Sequence, residues 1–166
     1  MRKLLVLMFI LFVSISYYGV QATQRPASND FDSQISANAN AMISQGRKTF
    51  RFDTFGDEAF WGGTLRLHEA IATVSPKQAL AVGLKVDSNA LPKEVIDALK
   101  RGEVNLNDPA VTAQLLQMNA VVGVKGFFSG GNLTSMGIQC AFCHSTVDDS
   151  FAAGIGKRLD GWANQD

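Results

Sequence analysis

The stretch "AVVGVKGFFSGGNLTSMGIQCAFCHSTVDD", residues 120–149, changes character twice before it reaches its cysteines. "AVVGVKGFF" is β-branched and aromatic, "SGGN" is a turn signal, and "LTSMGIQ" resumes as a second apolar run. That order predicts a small β-hairpin. A lone two-stranded hairpin is marginal in water and must lean on another element. This one feeds directly into Cys140-Ala141-Phe142-Cys143-His144, which holds both cysteines of the chain and one of its two histidines. The local chemistry of the protein is concentrated in those five residues.

The pattern C-x-x-C-H is the attachment sequence of a c-type haem. Residues three apart on a helical turn lie on one side, so both sulfurs would reach the two vinyl groups of a single porphyrin. The imidazole of His144 would then swing beneath the ring as the proximal ligand of the iron. Its second nitrogen would donate to a backbone carbonyl, which fixes the ring. Three rivals use the same residues. A thioredoxin-like dithiol calls for a strand-to-helix junction in an α/β sheet with several further strands, and one hairpin is visible. A zinc site calls for four ligands, and beyond Cys140, Cys143 and His144 the chain offers only His68, far off in sequence. A local disulfide closes too short a loop to staple anything and gives His144 no purpose. The haem reading leads.

Upstream of the hairpin the sequence is helical and punctuated. Ser75-Pro76 caps and starts "PKQALAVG". Pro92 and Gly102 bracket a helix over "LPKEVIDALKRG" with Val95 and Leu99 on its buried line. Asp108-Pro109 starts a third helix, with Val111, Leu115, Leu116 and Met118 on one face. Before these, Phe60, Thr64, His68 and Ile71 fall on one helical line, interrupted by Gly62 and Gly63, which let another backbone or a flat ligand come close. The tail after His144, with glycines at 154, 156 and 161, reads as loop.

The N terminus has another character. A basic start, an apolar run and Val20-Gln21-Ala22 form the pattern of a secretory signal peptide, residues 1–22, cleaved after Ala22; uncleaved, the same run would stay as an N-terminal membrane anchor. The expected destination is the periplasm or another exported, oxidising space. Residues 23–45 are polar and poor in large apolar side chains, and read as a linker feeding a weak helix near Ile43. The domain proper is expected over 46–166. The chain has 15 basic and 15 acidic residues, and loss of Arg2 and Lys3 with the leader leaves a small negative charge. No basic patch stands out, which argues against nucleic acid or an anionic membrane as partner. No membrane span is expected after cleavage of the leader.

"FRFDTFGDEAFWGGTLRLHEAI", "DPAVTAQLLQMNAVVGVKGFF" and "LTSMGIQCAFCHSTVDDSFAAGIGKRLDGW" together resemble a family of exported bacterial c-type cytochrome domains, from Phe50 to the end. The resemblance implies one covalent haem c, with Cys140 and Cys143 as its attachment residues and His144 as proximal ligand. It also implies a domain that continues beyond this chain, so 46–166 is expected to be C-terminally incomplete. The expected fold class is mainly α: a cytochrome c-like haem domain of short capped helices with a small hairpin before the motif. Ordinary small cytochromes c carry the motif early and draw a second ligand from a methionine downstream. Here the 22 residues after His144 contain neither methionine nor histidine. His68 is the distal candidate, with Met118, Met136 and Met42 behind it. Phe127, Phe128, Phe142, Phe151 and Trp162 would wall the haem edge, and Lys157 and Arg158 would face a propionate.

The function these expectations describe is a carrier of single electrons, more a carrier than an enzyme, working with a redox partner protein. A haem enzyme of the peroxidase or oxygenase type, or a haem-based gas sensor, is the alternative. Asp148 and Asp149 read as turn-holding or solvated carboxylates rather than general bases.

Overall fold

Ser75, Asp87 and Asp108 each start a helical segment by taking a free N–H group of its first turn. The computed structural model describes residues 30–164. The chain divides into two units, Met1–Ser44 and Gln45–Asp166, inside helix α1 (Asp30–Phe52). The helix expected near Ile43 therefore reaches back to Asp30. In the first unit the described part is this helical stretch, on which Phe31, Ile35, Met42 and Ile43 are exposed. The leader 1–22 and residues 23–29 lie outside the described residues. No described helix is long and apolar enough to cross a membrane.

In the second unit a π-helical turn (Ala59–Thr64) precedes α2 (Leu67–Ile71). The expected continuous helix from Phe60 to Ile71 is broken, because Arg66 takes a left-handed conformation with φ 52°. Gly62 is buried where the turn crosses the hairpin: a Cβ there would stand 2.8 Å from the Met136 amide nitrogen. It is a backbone, and not a flat ligand, that this glycine admits.

Helix α3 (Pro76–Ala81) starts with a full capping box, Ser75 and Gln78 each accepting from the other's backbone N–H. After β1 (Val86–Asp87) comes a 3-10 turn (Ser88–Ala90), capped by Asp87, then α4 (Lys93–Lys100) behind Pro92. Asp108 caps α5 (Pro109–Gln117) by accepting from Ala110 N at 2.9 Å. Strands β2 (Val124–Ser129) and β3 (Asn132–Ile138) form the hairpin, paired from Val124↔Ile138 to Ser129↔Asn132 with a bulge at Phe127/Phe128. Its two-residue loop, Gly130-Gly131, has positive φ at both positions, as the tight primed turn requires.

The hairpin leans on helices from two directions. The π-turn and α2 pack on β3, and α5 packs on β2. Between them the core gathers Leu115, Leu116, Val121, Val124 and Met136, with Val86 and Ile155 contributed by short strands. Val86 is held on two sides: its N–H donates to Gly154 O at 2.8 Å, and it bridges Val121 antiparallel.

The mainly helical expectation is corrected here. Besides the hairpin there are two further two-stranded sheets: β1 with β5 (Ile155–Gly156), parallel, and β4 (Ser145–Val147) with β6 (Arg158–Asp160), antiparallel. The architecture is mixed α/β with three separate small sheets, unlike the nearly all-helical cytochrome c fold. The tail expected to be loop supplies three of the six strands of the described residues. Strands of two or three residues carry no period for a sequence pattern to reveal, and they exist only because distant partners complete their hydrogen bonds.

Candidate functional site

The five-residue motif sits where β3 gives way to α6 (Ala141–His144). Three contacts fix this junction. Gln139 N donates to Gly123 O at 2.9 Å, which ties the motif's leading edge to the start of the hairpin. Gly123, with φ +80°, lies so close beneath the turn that a Cβ there would be 2.5 Å from Phe142 N and nearer still to its Cα. Asp57 accepts from Ile138 N through both carboxylate oxygens, at 3.0 and 3.3 Å, and so ends the strand two residues before Cys140.

The other side is held by the tail. Gly161 N donates to His144 O at 2.8 Å, and Asn164 N to Cys143 O at 3.0 Å. Ser145, fully buried, donates through Oγ to Asp160 Oδ1 at 3.0 Å. Asp160 is the hub of this side. Arg51 reaches it from α1 at 2.6 Å, and Arg158 stands 3.0 Å away with its side chain 2% exposed. Burial pushes the Asp160 carboxyl up, but hydrogen bonds from Arg51 and Ser145 and the charges of both arginines outweigh it. The carboxyl is held below its ordinary value. Burial pulls the Arg158 guanidinium down, with Asp160 opposing. Arg158 is thus spent inside the fold, while Lys157 beside it is exposed.

On this frame Cys140 and Cys143 are both free and both exposed, three residues apart on one turn, with His144 also exposed. Phe142 between them turns inward and packs against the core. Asp148 and Asp149 hold the following turn. Asp148 Oδ1 accepts from Ser150 N and Lys157 N, and Asp149 Oδ1 accepts from Gly154 N. The Ser150 hydrogen bonds, side chain before backbone, keep the Asp148 carboxyl below its ordinary value.

The covalent haem expected from the motif is corrected by this geometry. Among the described residues no three His, Cys, Asp or Glu side chains gather as a metal-holding group, so Cys140, Cys143 and His144 do not converge and His68 does not join them. His68 lies on α2, with Nδ1 buried and without a hydrogen-bond partner. The methionines do not replace it: Met136 is buried in the core, Met118 is packed against it, and Met42 is exposed on α1. The apolar cavities under α3, α4 and α5 are lined by none of the motif residues. The expected aromatic wall is dispersed as well. Phe128, Phe142 and Phe151 pack on the core, Lys125 lies over Phe127 at 5.3 Å, and Trp162 is 65% exposed. With no haem slot among the described residues, the iron-based electron carrier falls, and the haem enzyme and gas-sensor alternatives fall with it.

Asp57, Gly123 and the Arg51–Asp160 pair were missed by reading the sequence. Each acts on a partner far along the chain, and composition carries no trace of such pairings. No protein-family model matches this chain, and no curated protein or solved structure does either. The resemblance to exported c-type cytochrome domains therefore finds no support among known proteins, and the mixed fold with its three small sheets stands against it.

Proposed function

We propose that Cys140 and Cys143 form an exposed dithiol that cycles to a disulfide by exchange with a disulfide of a partner protein. The observation that carries this reading is the pair's position: two free, exposed cysteines on one turn at a strand-to-helix junction. Side chains three apart on a helix have Cβ atoms about 5–6 Å apart, and a disulfide needs about 3.5–4.5 Å. A small tightening of one turn closes the bond. The ring so closed is short, hence the bond adds little stability, and its exposure favours exchange over permanence. A leader-like N terminus supports an oxidising destination, where such a pair has partners.

The reaction balances without a cofactor. A thiolate on Cys140 attacks one sulfur of a partner disulfide, forming a mixed disulfide and releasing the first partner thiolate. Cys143 then attacks the Cys140 sulfur, closes the intramolecular bond and releases the second partner thiol. Cys140, which opens the turn, is assigned the first step, and Cys143, one turn on, the resolving step. Run in reverse, the same steps oxidise the partner.

Equilibration of the full chain across a glutathione redox series, followed by alkylation and mass measurement, tests the reading. Two thiols should disappear together and reversibly, and Cys143→Ser should accumulate a mixed disulfide on Cys140. Thiols that oxidise independently, or only between chains, would refute it.

A further inference from the structure

Helix α4 is strongly amphipathic in sequence, yet none of its residues is buried. Beneath it lies an apolar cavity of about 240 Å³, bounded also by α3, α5 and the β1–β5 strands. Its walls are aliphatic, including Leu80, Val95, Ala98, Leu99, Leu115 and Ile155, and no aromatic ring lines it. Two polar side chains stand among the lining groups, Glu94 and Gln114, both exposed. The neighbours of Glu94 on the same helix, Lys93 and Asp97, pair with each other. Glu94 takes part in none of the ion pairs of the described residues, so its carboxylate is available to a ligand.

We infer that this cavity is a binding site for a primary alkylammonium of about eight carbons. Volume sets the length: a dry apolar cavity of about 150 Å³ accepts benzene, and in proportion this one accepts about nine or ten heavy atoms. Shape sets the type, because methyl-lined walls fit a flexible chain. Charge sets the head group. A cation at the mouth meets Glu94 and the Gln114 amide oxygen, whereas a carboxylate head would meet the Glu94 charge with the wrong sign. The helix that roofs the cavity touches the core only through half-buried Val95, Ile96 and Leu99, so a chain in the cavity adds apolar contacts to side chains that are incompletely covered. Neither cysteine lines the cavity, and the site is independent of the thiol chemistry.

Titration calorimetry of the full chain with n-hexylamine, n-octylamine, n-octanol and n-octanoate tests this. Octylamine should bind one to one, hexylamine about tenfold more weakly for its two missing methylenes. Octanoate should bind a few-fold more weakly still than octanol, since the head group remains in contact with water. Glu94→Gln should erase the preference for amine over alcohol and leave octanol unchanged. Ala98→Phe, which places a ring in the cavity, should abolish binding while far-ultraviolet circular dichroism reports an intact fold. Affinity that stays flat from hexylamine to octylamine overturns the site in the unaltered chain, even if Ala98→Phe does not fold. Octylamine bound equally well by folded Ala98→Phe also overturns it, and octanoate matching octylamine overturns the cationic ligand.

Discussion

The turn that carries the cysteines and the helix that roofs the cavity are both short, and they are packed in opposite ways. Under α6 the fit is so close that only glycine is accommodated at position 123, and hydrogen bonds from Gly161, Asn164 and Gln139 fix the backbone around it. Under α4 about 240 Å³ stands open, and Val95, Ala98 and Leu99 are left half-buried. Tight packing transmits every added atom as strain, while loose packing absorbs it. The contrast assigns a firm seat to the thiols, beneath the one turn whose tightening closes their bond. It assigns compliance to the wall of a cavity that must admit and release a chain. It also predicts how substitutions on the two sides should differ in sign.

The largest effect is expected at Gly123→Ala. The new Cβ meets the Phe142 backbone, which cannot rotate away, and an L-residue at φ +80° adds about 1–2 kcal/mol by itself. Together these should cost about 4 kcal/mol, enough to unfold much of the chain. Gly131→Ala is the matching control. Its φ is +83°, but nothing lies within 4 Å, so only the same conformational cost of about 1–2 kcal/mol should appear. Urea unfolding of the two variants measures the difference. Equal losses would mean that the seat of α6 is no tighter than a hairpin tip.

On the same side Asp160 ranks next. Asp160→Asn leaves Arg158 buried beside a neutral amide, at a cost of about 2–3 kcal/mol, just below the usual range because Asp87 also faces Arg158. The carboxyl is lower in the folded chain than in the unfolded one. Its contribution is therefore complete above the ordinary carboxylate range and is lost as pH falls through the depressed folded value. Acid unfolding of the parent should steepen below about pH 4, and Asp160→Asn should flatten that limb. Thermal melts across the acid range check the sign. A variant whose acid limb matches the parent's would detach the Arg51–Asp160–Arg158 group from the stability of the motif's frame.

Much of this frame could be read before any coordinates, and the portion that could not shares one cause. Ser75-Pro76 and Asp108-Pro109 announce their helices because the cap and the helix it serves are neighbours in sequence. "SGGN" announces the hairpin for the same reason. The sheets made by β4, β5 and β6 went unread because Val86 must meet Ile155, and Ser145 must meet Asp160, before those strands exist. At the site, both cysteines and His144 were evident at once. The inward turn of Phe142 and the closeness of Gly123 decide what surrounds the thiols, and they are properties of packing. The haem expectation rested on five residues; it needed a slot that the described residues do not build.

The smallest effect is expected at α4, and it has the opposite sign. Ala98→Leu adds three carbons to a residue that lines the open cavity, on a helix with no buried residue. Each methylene removed from water contributes about 0.8 kcal/mol at most. The ordering of a longer side chain opposes this by about 0.5–1 kcal/mol. The balance should be a gain of about 1 kcal/mol, which raises the melting temperature by a few degrees in a domain of this size. The same change in a well-packed core costs about 1–3 kcal/mol, because side chains are driven off their rotamers. A small gain in denaturant midpoint at unchanged slope is thus the signature of room that the protein keeps at the expense of its own stability. Destabilisation by Ala98→Leu would instead place α4 among the tightly packed elements, and with them the contrast between the two short helices would disappear.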